Sequence, residues 1–123
     1  MTFDWLQYYF FAQELIGQDP LIAIGKECDN RNAISRAYYA AYNIAKNKRS
    51  IVYKNGKFSH ALVIEEFKNS SNPIEKHVGD ELSRLIADRV AADYFDWKNI
   101  SDRKAENAVL TAEEILRSLG ELK

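Results

Sequence analysis

The sequence predicts an all-α fold, an antiparallel up-and-down bundle of four to five helices. Three observations predict it. Apolar residues recur at steps of three and four in successive segments, each segment is bounded by helix-start or helix-stop chemistry, and one carries a stripe of small residues that lets a second helix approach closely. A length of 123 residues, 46% hydrophobic and 28% charged, suits one domain spanning 1–123 with a core of its own.

The first helix is expected from Asp4 to Ile16, where Trp5, Tyr8, Tyr9, Ala12, Leu15 and Ile16 share a face and Gly17 stops the run. Gln18-Asp19-Pro20 starts a short piece through Ile24, and Gly25 breaks it. Asp29 or Asn30 is then expected to cap a long helix reaching about Lys48. On that helix Ala33, Ala37, Ala40 and Ile44 form the small-residue stripe, and Asn32, Arg36, Tyr39, Asn43 and Asn47 form a polar strip beside it. From Ser50 to Phe58, Asn55-Gly56 is a turn signal, read as a loop or a small hairpin.

Ser59 is expected to cap a helix from His60 to about Lys68, and Asn69-Ser70-Ser71-Asn72 is loop chemistry. Asn72 as cap, Pro73 at the first helical position and Glu75 closing a capping box open the next helix. Its stripe is Val78, Leu82, Leu85 and Ile86, and it frays between Asp93 and Trp97. Ser101 opens the last helix, which buries Ala105, Ala108, Val109, Ala112, Ile115, Leu116 and Leu119 before Gly120 ends it.

Composition narrows the function. Lys plus Arg number 17 against 18 Asp plus Glu, and a net charge of -1 gives no global pull toward nucleic acid or anionic membrane. Any nucleic-acid site must be local. The concentrated basic run is Lys46, Lys48, Arg49, Lys54 and Lys57, read either as a solvated helix end or as a phosphate contact. The single cysteine, Cys28, excludes an internal disulfide and reads as a buried or semi-buried thiol in a reducing compartment. The opening Met1-Thr2-Phe3-Asp4-Trp5 lacks signal-peptide character and no apolar run reaches ~18 residues, so a soluble cytoplasmic protein without a membrane partner is expected. His60 and His77 have no second ligand one turn away, and the glycines are scattered singly, so neither a metal site nor a phosphate loop nor any cofactor is expected.

Three further places bear on chemistry. Arg89 extends the stripe of its helix by one turn and so points inward, with Asp93 four residues on. A buried guanidinium needs a partner, which would be Asp93, a helix end or a group across a dimer interface. His60 sits at a helix N-terminus, where the dipole favours a neutral ring. Tyr94, Phe95 and Trp97 read as core or interface, with base stacking the alternative.

The segments Ser35-Arg36-Ala37-Tyr38-Tyr39-Ala40-Ala41-Tyr42, Ser59-His60 and Arg89-Val90-Ala91-Ala92-Asp93-Tyr94, with the alanine-rich last helix, resemble the HEPN superfamily over about residues 3 to 119. The likeness is to its small stand-alone prokaryotic branch, through S-R-x-Y-Y-A and R-x-x-A-D-Y segments. It implies a helical bundle, a homodimer, and a role in toxin-antitoxin pairs or phage defence, with a cognate nucleotidyltransferase antitoxin as partner. Many members are metal-independent ribonucleases whose motif is Arg, four to six residues, then His, paired across the dimer cleft. Arg36 has the expected place, but Asn43 stands where the histidine would be. Asparagine can bond a phosphate or base yet cannot shuttle protons near neutral pH, a loss of about 10² to 10⁴ in rate.

Three readings follow. The first is a module binding RNA, a nucleotide or a partner protein through Arg36 and Asn43, with Asn32, Tyr39, Asn47, Arg89 and Asp93 as further ligand contacts. The second is a metal-independent endoribonuclease in which Arg36 acts with His60 or Asn43. The third is a purely structural oligomeric assembly protein.

Overall fold

A computed structural model describes residues 3–17, 25–49 and 60–123. All regular structure among them is helical: α1 Leu6–Ile16, α2 Lys26–Lys48, α3 His60–Lys68, α4 Pro73–Tyr94 and α5 Asp102–Ser118. The protein is an all-α bundle. Among the described residues no helix is long and apolar enough to cross a membrane. The short piece expected over residues 18–24, the loop or hairpin over 50–58 and the Ser59 cap lie outside the described residues.

Helix α2 is the hub, packing against α1, α4 and α5. Its stripe Ala33, Ala37, Ala40 and Ile44 is buried, and α5 answers with buried Ala105, Ala108 and Ala112. Small side chains on both helices allow a close approach. Polar contacts fix the helix directions. Lys26 at the start of α2 donates from Nζ to the carbonyls of Leu15 (3.3 Å) and Ile16 (2.9 Å), so α1 ends where α2 begins. Arg31 near the start of α2 donates to the carbonyls of Ala91 (3.3 Å), Ala92 (2.9 Å) and Phe95 (3.1 Å) at the end of α4. At the other end of α2, Arg49 meets Glu75 in the first turn of α4 at 2.7 Å. Helices α1, α2, α4 and α5 therefore alternate in direction. Helix α3 departs from that pattern: it starts beside Tyr38 and Tyr42 in mid-α2, and its residue Glu66 meets Arg49 after the end of α2, so it runs parallel to α2.

Two helix starts and one capping box differ from expectation, and α1 is the first, beginning at Leu6 rather than Asp4. Helix α2 begins earlier than a cap at Asp29 or Asn30 requires, with Gly25 as N-cap at φ 97°, a conformation that glycine adopts without a Cβ clash. Asp29 and Asn30 are instead buried inside the helix, and Asn30 donates from Nδ2 to the Ile100 carbonyl (3.1 Å) and to Asp102 Oδ1 (2.8 Å), anchoring the start of α5. At α4, Asn72 Oδ1 accepts from the backbone N–H of Ile74 at 2.8 Å, as expected. Glu75 does not close the capping box. Its Oε1 accepts from Ser70 Oγ (2.6 Å) and Arg49, and Ser70 Oγ takes the Asn72 N–H at 3.1 Å, so the hydroxyl stands between the carboxylate and the cap.

The last helix ends as a Schellman turn: the Glu121 N–H reaches the Leu116 carbonyl at 2.9 Å and the Gly120 N–H that of Arg117 at 3.0 Å, with Gly120 at φ 80°. Cys28, read as buried or semi-buried, is exposed. It lies on the solvent side of the first turns of α2, whose inner face is taken by Asp29, Asn30 and Ala33.

Candidate functional site

The polar strip of α2 and the last turns of α4 meet around the half-buried ring of Tyr39. Arg36 Cζ lies 5.6 Å and Arg89 Cζ 5.1 Å from its centroid, and the His60 ring stands edge-on to it at 5.9 Å. The periodicity of the two helices makes this meeting possible. Ser35, Arg36 and Tyr39 fall within about one turn of α2, and Arg89 and Asp93 are one turn apart on α4.

Hydrogen bonds tie the cluster into one chain. Arg89 donates from Nη2 to the Tyr39 hydroxyl at 2.7 Å and from Nε to Asp93 Oδ2 at 3.0 Å. Ser35 Oγ donates to the same Asp93 oxygen at 3.3 Å and accepts from Arg36 Nη2 at 3.0 Å. Arg89, with a side chain 13% exposed, thus has Asp93, one of its three expected partners, and in addition the Tyr39 hydroxyl of α2.

Arg36 is held differently. Its guanidinium lies 4.9 Å from the centroid of Tyr8 on α1, so it is framed by two tyrosine rings, a stabilising arrangement for a cation. Among the described residues it has no carboxylate within salt-bridge distance. Its Nε is buried and has no hydrogen-bond acceptor among the described residues. Leaving such a donor unsatisfied costs about 1–3 kcal/mol.

His60 enters the cluster from α3. Its ring stacks on Tyr42 (4.3 Å, 24°) and Tyr38 (5.6 Å, 27°), and Tyr38 Oη lies 2.6 Å from its Nδ1. Burial, and then the Arg89 charge, lower its pKa from 6.5, so the ring is neutral at pH 7. The expected direction is met, but by desolvation rather than by a helix dipole. Burial pushes the Tyr38 hydroxyl pKa upward. That phenol stays protonated, and His60 Nδ1 is within its reach. The phenol can donate to Nδ1, which would put the ring proton on Nε2, or accept from an Nδ1–H, which would leave the lone pair on Nε2.

The polar strip does not act as a unit. Asn32 is exposed and its Nδ2 donates to the Cys28 carbonyl at 3.0 Å. Asn43 is 6% exposed, and its Nδ2 donates to the Tyr39 carbonyl of the same helix at 2.9 Å. Asn47 lies at the far end of α2, lining a separate hollow. Arg36, Tyr39, Arg89, Asp93 and His60 are brought together; Asn32 lines a hollow on the Asp93 side of the cluster, with Cys28 and Arg31, and Asn43 and Asn47 do not join it. Ser35, Tyr38 and Tyr8 belong to the cluster and were missed. Ser35, Tyr38 and Tyr42 at i, i+3 and i+7 were the available signal, a second polar face on the same helix.

Lys48 and Arg49 of the basic run are neutralised. Lys48 pairs with Glu121 at 2.9 Å, and Arg49 with Glu75 at 2.7 Å and Glu66 at 3.4 Å. Lys54 and Lys57 lie outside the described residues. Tyr94 and Trp97 are 66% and 74% exposed, so of the readings core, interface and base stacking the first does not hold for them, and Trp97 stacks on Phe95 at 4.7 Å. Among the described residues no group of side chains is set to hold a metal ion. Comparison with family models, with curated proteins and with solved structures gave no match.

Proposed function

We propose that the chain is a HEPN-like module that binds RNA or a nucleotide, taking a phosphate oxygen on Arg36 beside Arg89 and Tyr39, without strong catalysis. In this reading it works as a homodimer in a toxin-antitoxin or defence setting, beside a cognate nucleotidyltransferase. One observation carries the reading. Arg36 is a half-buried cation, held between two rings, with a buried N–H that no acceptor among the described residues meets. Such a group is preorganised for an anion, and a guanidinium suits phosphate geometry.

The second reading, a metal-independent ribonuclease using Arg36 and His60, is favoured by the placement of His60 on the Tyr39 ring that both arginines share. The role of His60 there turns on the tautomer: with Nδ1 accepting from Tyr38 the ring would offer an N–H at Nε2 and no lone pair for a general base, and with Nδ1 donating it would offer the lone pair.

Fluorescence anisotropy with a labelled single-stranded RNA, in the presence of a chelator, separates the readings. The expected result is binding that weakens about 10- to 100-fold in Arg36→Ala, as loss of charge-assisted hydrogen bonds implies, with the RNA intact. Equal affinity of Arg36→Ala and the wild type would remove the arginine from the site. Cleavage lost in both Arg36→Ala and His60→Ala would establish the ribonuclease instead.

A further inference from the structure

Arg36 and Arg89 belong to a row that extends beyond the Tyr39 ring at both ends. Arg36 Cζ lies 4.9 Å from the centroid of Tyr8 and 5.6 Å from that of Tyr39, and Arg89 Cζ lies 5.1 Å from that of Tyr39 and 5.7 Å from that of Tyr94. Rings and guanidinium groups therefore alternate in the order Tyr8, Arg36, Tyr39, Arg89, Tyr94, across α1, α2 and the last turn of α4. The row is open at one end. Tyr8 and Tyr39 are half-buried, whereas Tyr94 is 66% exposed.

Tyr94 takes no part in the core, nor is it among the side chains packed against it. Arg89 beside it is fixed in place by the Tyr39 hydroxyl at 2.7 Å and by Asp93 at 3.0 Å, so the exposed ring stands next to a held cation and in line with Arg36. A nucleic-acid strand carries the same two chemistries in alternation, a charged phosphate and a flat ring, and the pairing of guanidinium groups with exposed aromatics is how such strands are held without reading their sequence. Trp97 is more exposed at 74%, but it lies parallel to Phe95 with planes at 22°, and among the described residues no arginine of the row reaches its ring.

From this row we infer that Tyr94 is the base-binding surface of the site: a nucleobase stacks on its exposed ring while a phosphate of the same strand lies on Arg36. The inference rests on the reading of Arg36 as a phosphate-binding residue and adds the group that meets the base. Tyr94 contributes stacking, which tolerates any base because each has a π-face, and its hydroxyl is not needed for that role.

The test compares two labelled probes of equal charge by fluorescence anisotropy, hexauridylate and a hexamer of the same ribose-phosphate backbone without bases. The wild type is expected to bind hexauridylate about 10-fold more tightly than the abasic hexamer, the worth of roughly one stacked base. Tyr94→Ala should abolish that preference by weakening hexauridylate alone, with the melting temperature in place because the side chain is exposed. Tyr94→Phe should restore the preference. Arg36→Ala should weaken both probes alike, since it acts on the phosphate. If Tyr94→Ala binds hexauridylate as the wild type does, or loses both probes equally, while Arg36→Ala still weakens both, the inference about Tyr94 is overturned and the reading of Arg36 stands. If the wild type binds neither probe, or Arg36→Ala binds both as the wild type does, the reading of Arg36 is overturned and the inference with it.

Discussion

Tyr38 and His60 decide what the cluster around Tyr39 can do. The Tyr38 hydroxyl, 2.6 Å from Nδ1, reserves that nitrogen, and the aromatic stack keeps the ring from turning to offer the other. Nitrogen chemical shifts of the imidazole should report a single tautomer in the wild type, Nε2–H if the phenol donates and Nδ1–H if it accepts, and a mixture of tautomers in Tyr38→Phe. A mixture in the wild type would mean that the phenol does not hold the ring in one form. Removing the phenol should cost about 1 kcal/mol in urea denaturation, the net worth of one such bond. None of this was readable from spacing. Ser59-His60 could be seen as a helix start, but where that helix docks depends on contacts between α3, α2 and α4. Arg89 was legible because it broke an apolar stripe and Arg36 because it lay on a polar strip, and Asn43 was overvalued because a motif position says nothing about burial.

At the scale of elements, the α3–α4 contact depends on the absence of one methyl group. A Cβ at Gly79 would lie 2.5 Å from the backbone nitrogen of Lys68 and 2.9 Å from its Cα, so the last residue of α3 crosses directly over this glycine. Gly79→Ala would ordinarily favour a helix, but here overpacking should outweigh propensity and destabilise the fold by about 1–3 kcal/mol. Chemical denaturation measures it, and an unchanged or raised midpoint would mean that α3 yields at no cost.

Helix ends set by neighbouring residues were the readable ones. Gly17, Lys48, Pro73, Ser101 and Gly120 stand where local stop and start chemistry places them. The start of α2 was not, because Gly25 caps by backbone conformation rather than by a side chain. Nor could sequence reveal that Lys26 and Arg31 satisfy carbonyls at the ends of α1 and α4, since those pairings join distant segments.

The whole molecule combines these contacts into a pH response with a definite sign. Because His60 has its pKa lowered from 6.5 in the fold, the unfolded chain takes up a proton at a higher pH than the native one. Its contribution is present above pH 6.5 and is lost as the pH falls below that value. Asp88 acts oppositely at lower pH. Burial raises its pKa from 3.8, so the fold holds that proton more tightly and is favoured by acid there. The difference in stability between wild type and His60→Gln isolates the histidine, and it should shrink between pH 7.5 and 5. A constant difference would mean that the ring titrates alike in both states.

At the alkaline end Tyr9 is raised from 10.0 to about 12, first by burial and then by its 2.7 Å hydrogen bond to Glu113. Stability should therefore hold to pH 10 and fall above it. The same packing that lowers the His60 pKa brings its ring onto Tyr39, the residue shared by both arginines, so the fold and the candidate site are features of one α2 surface.

The Arg36 side-chain Nε–H offers the most direct measurement, because the central claim is that this buried donor waits for a phosphate oxygen. Its ¹H–¹⁵N resonance should shift and gain protection from exchange as single-stranded RNA is added, with the Arg89 Nε–H, already bonded to Asp93, moving less. An Arg36 signal that stays in place while RNA shifts other resonances would contradict the account.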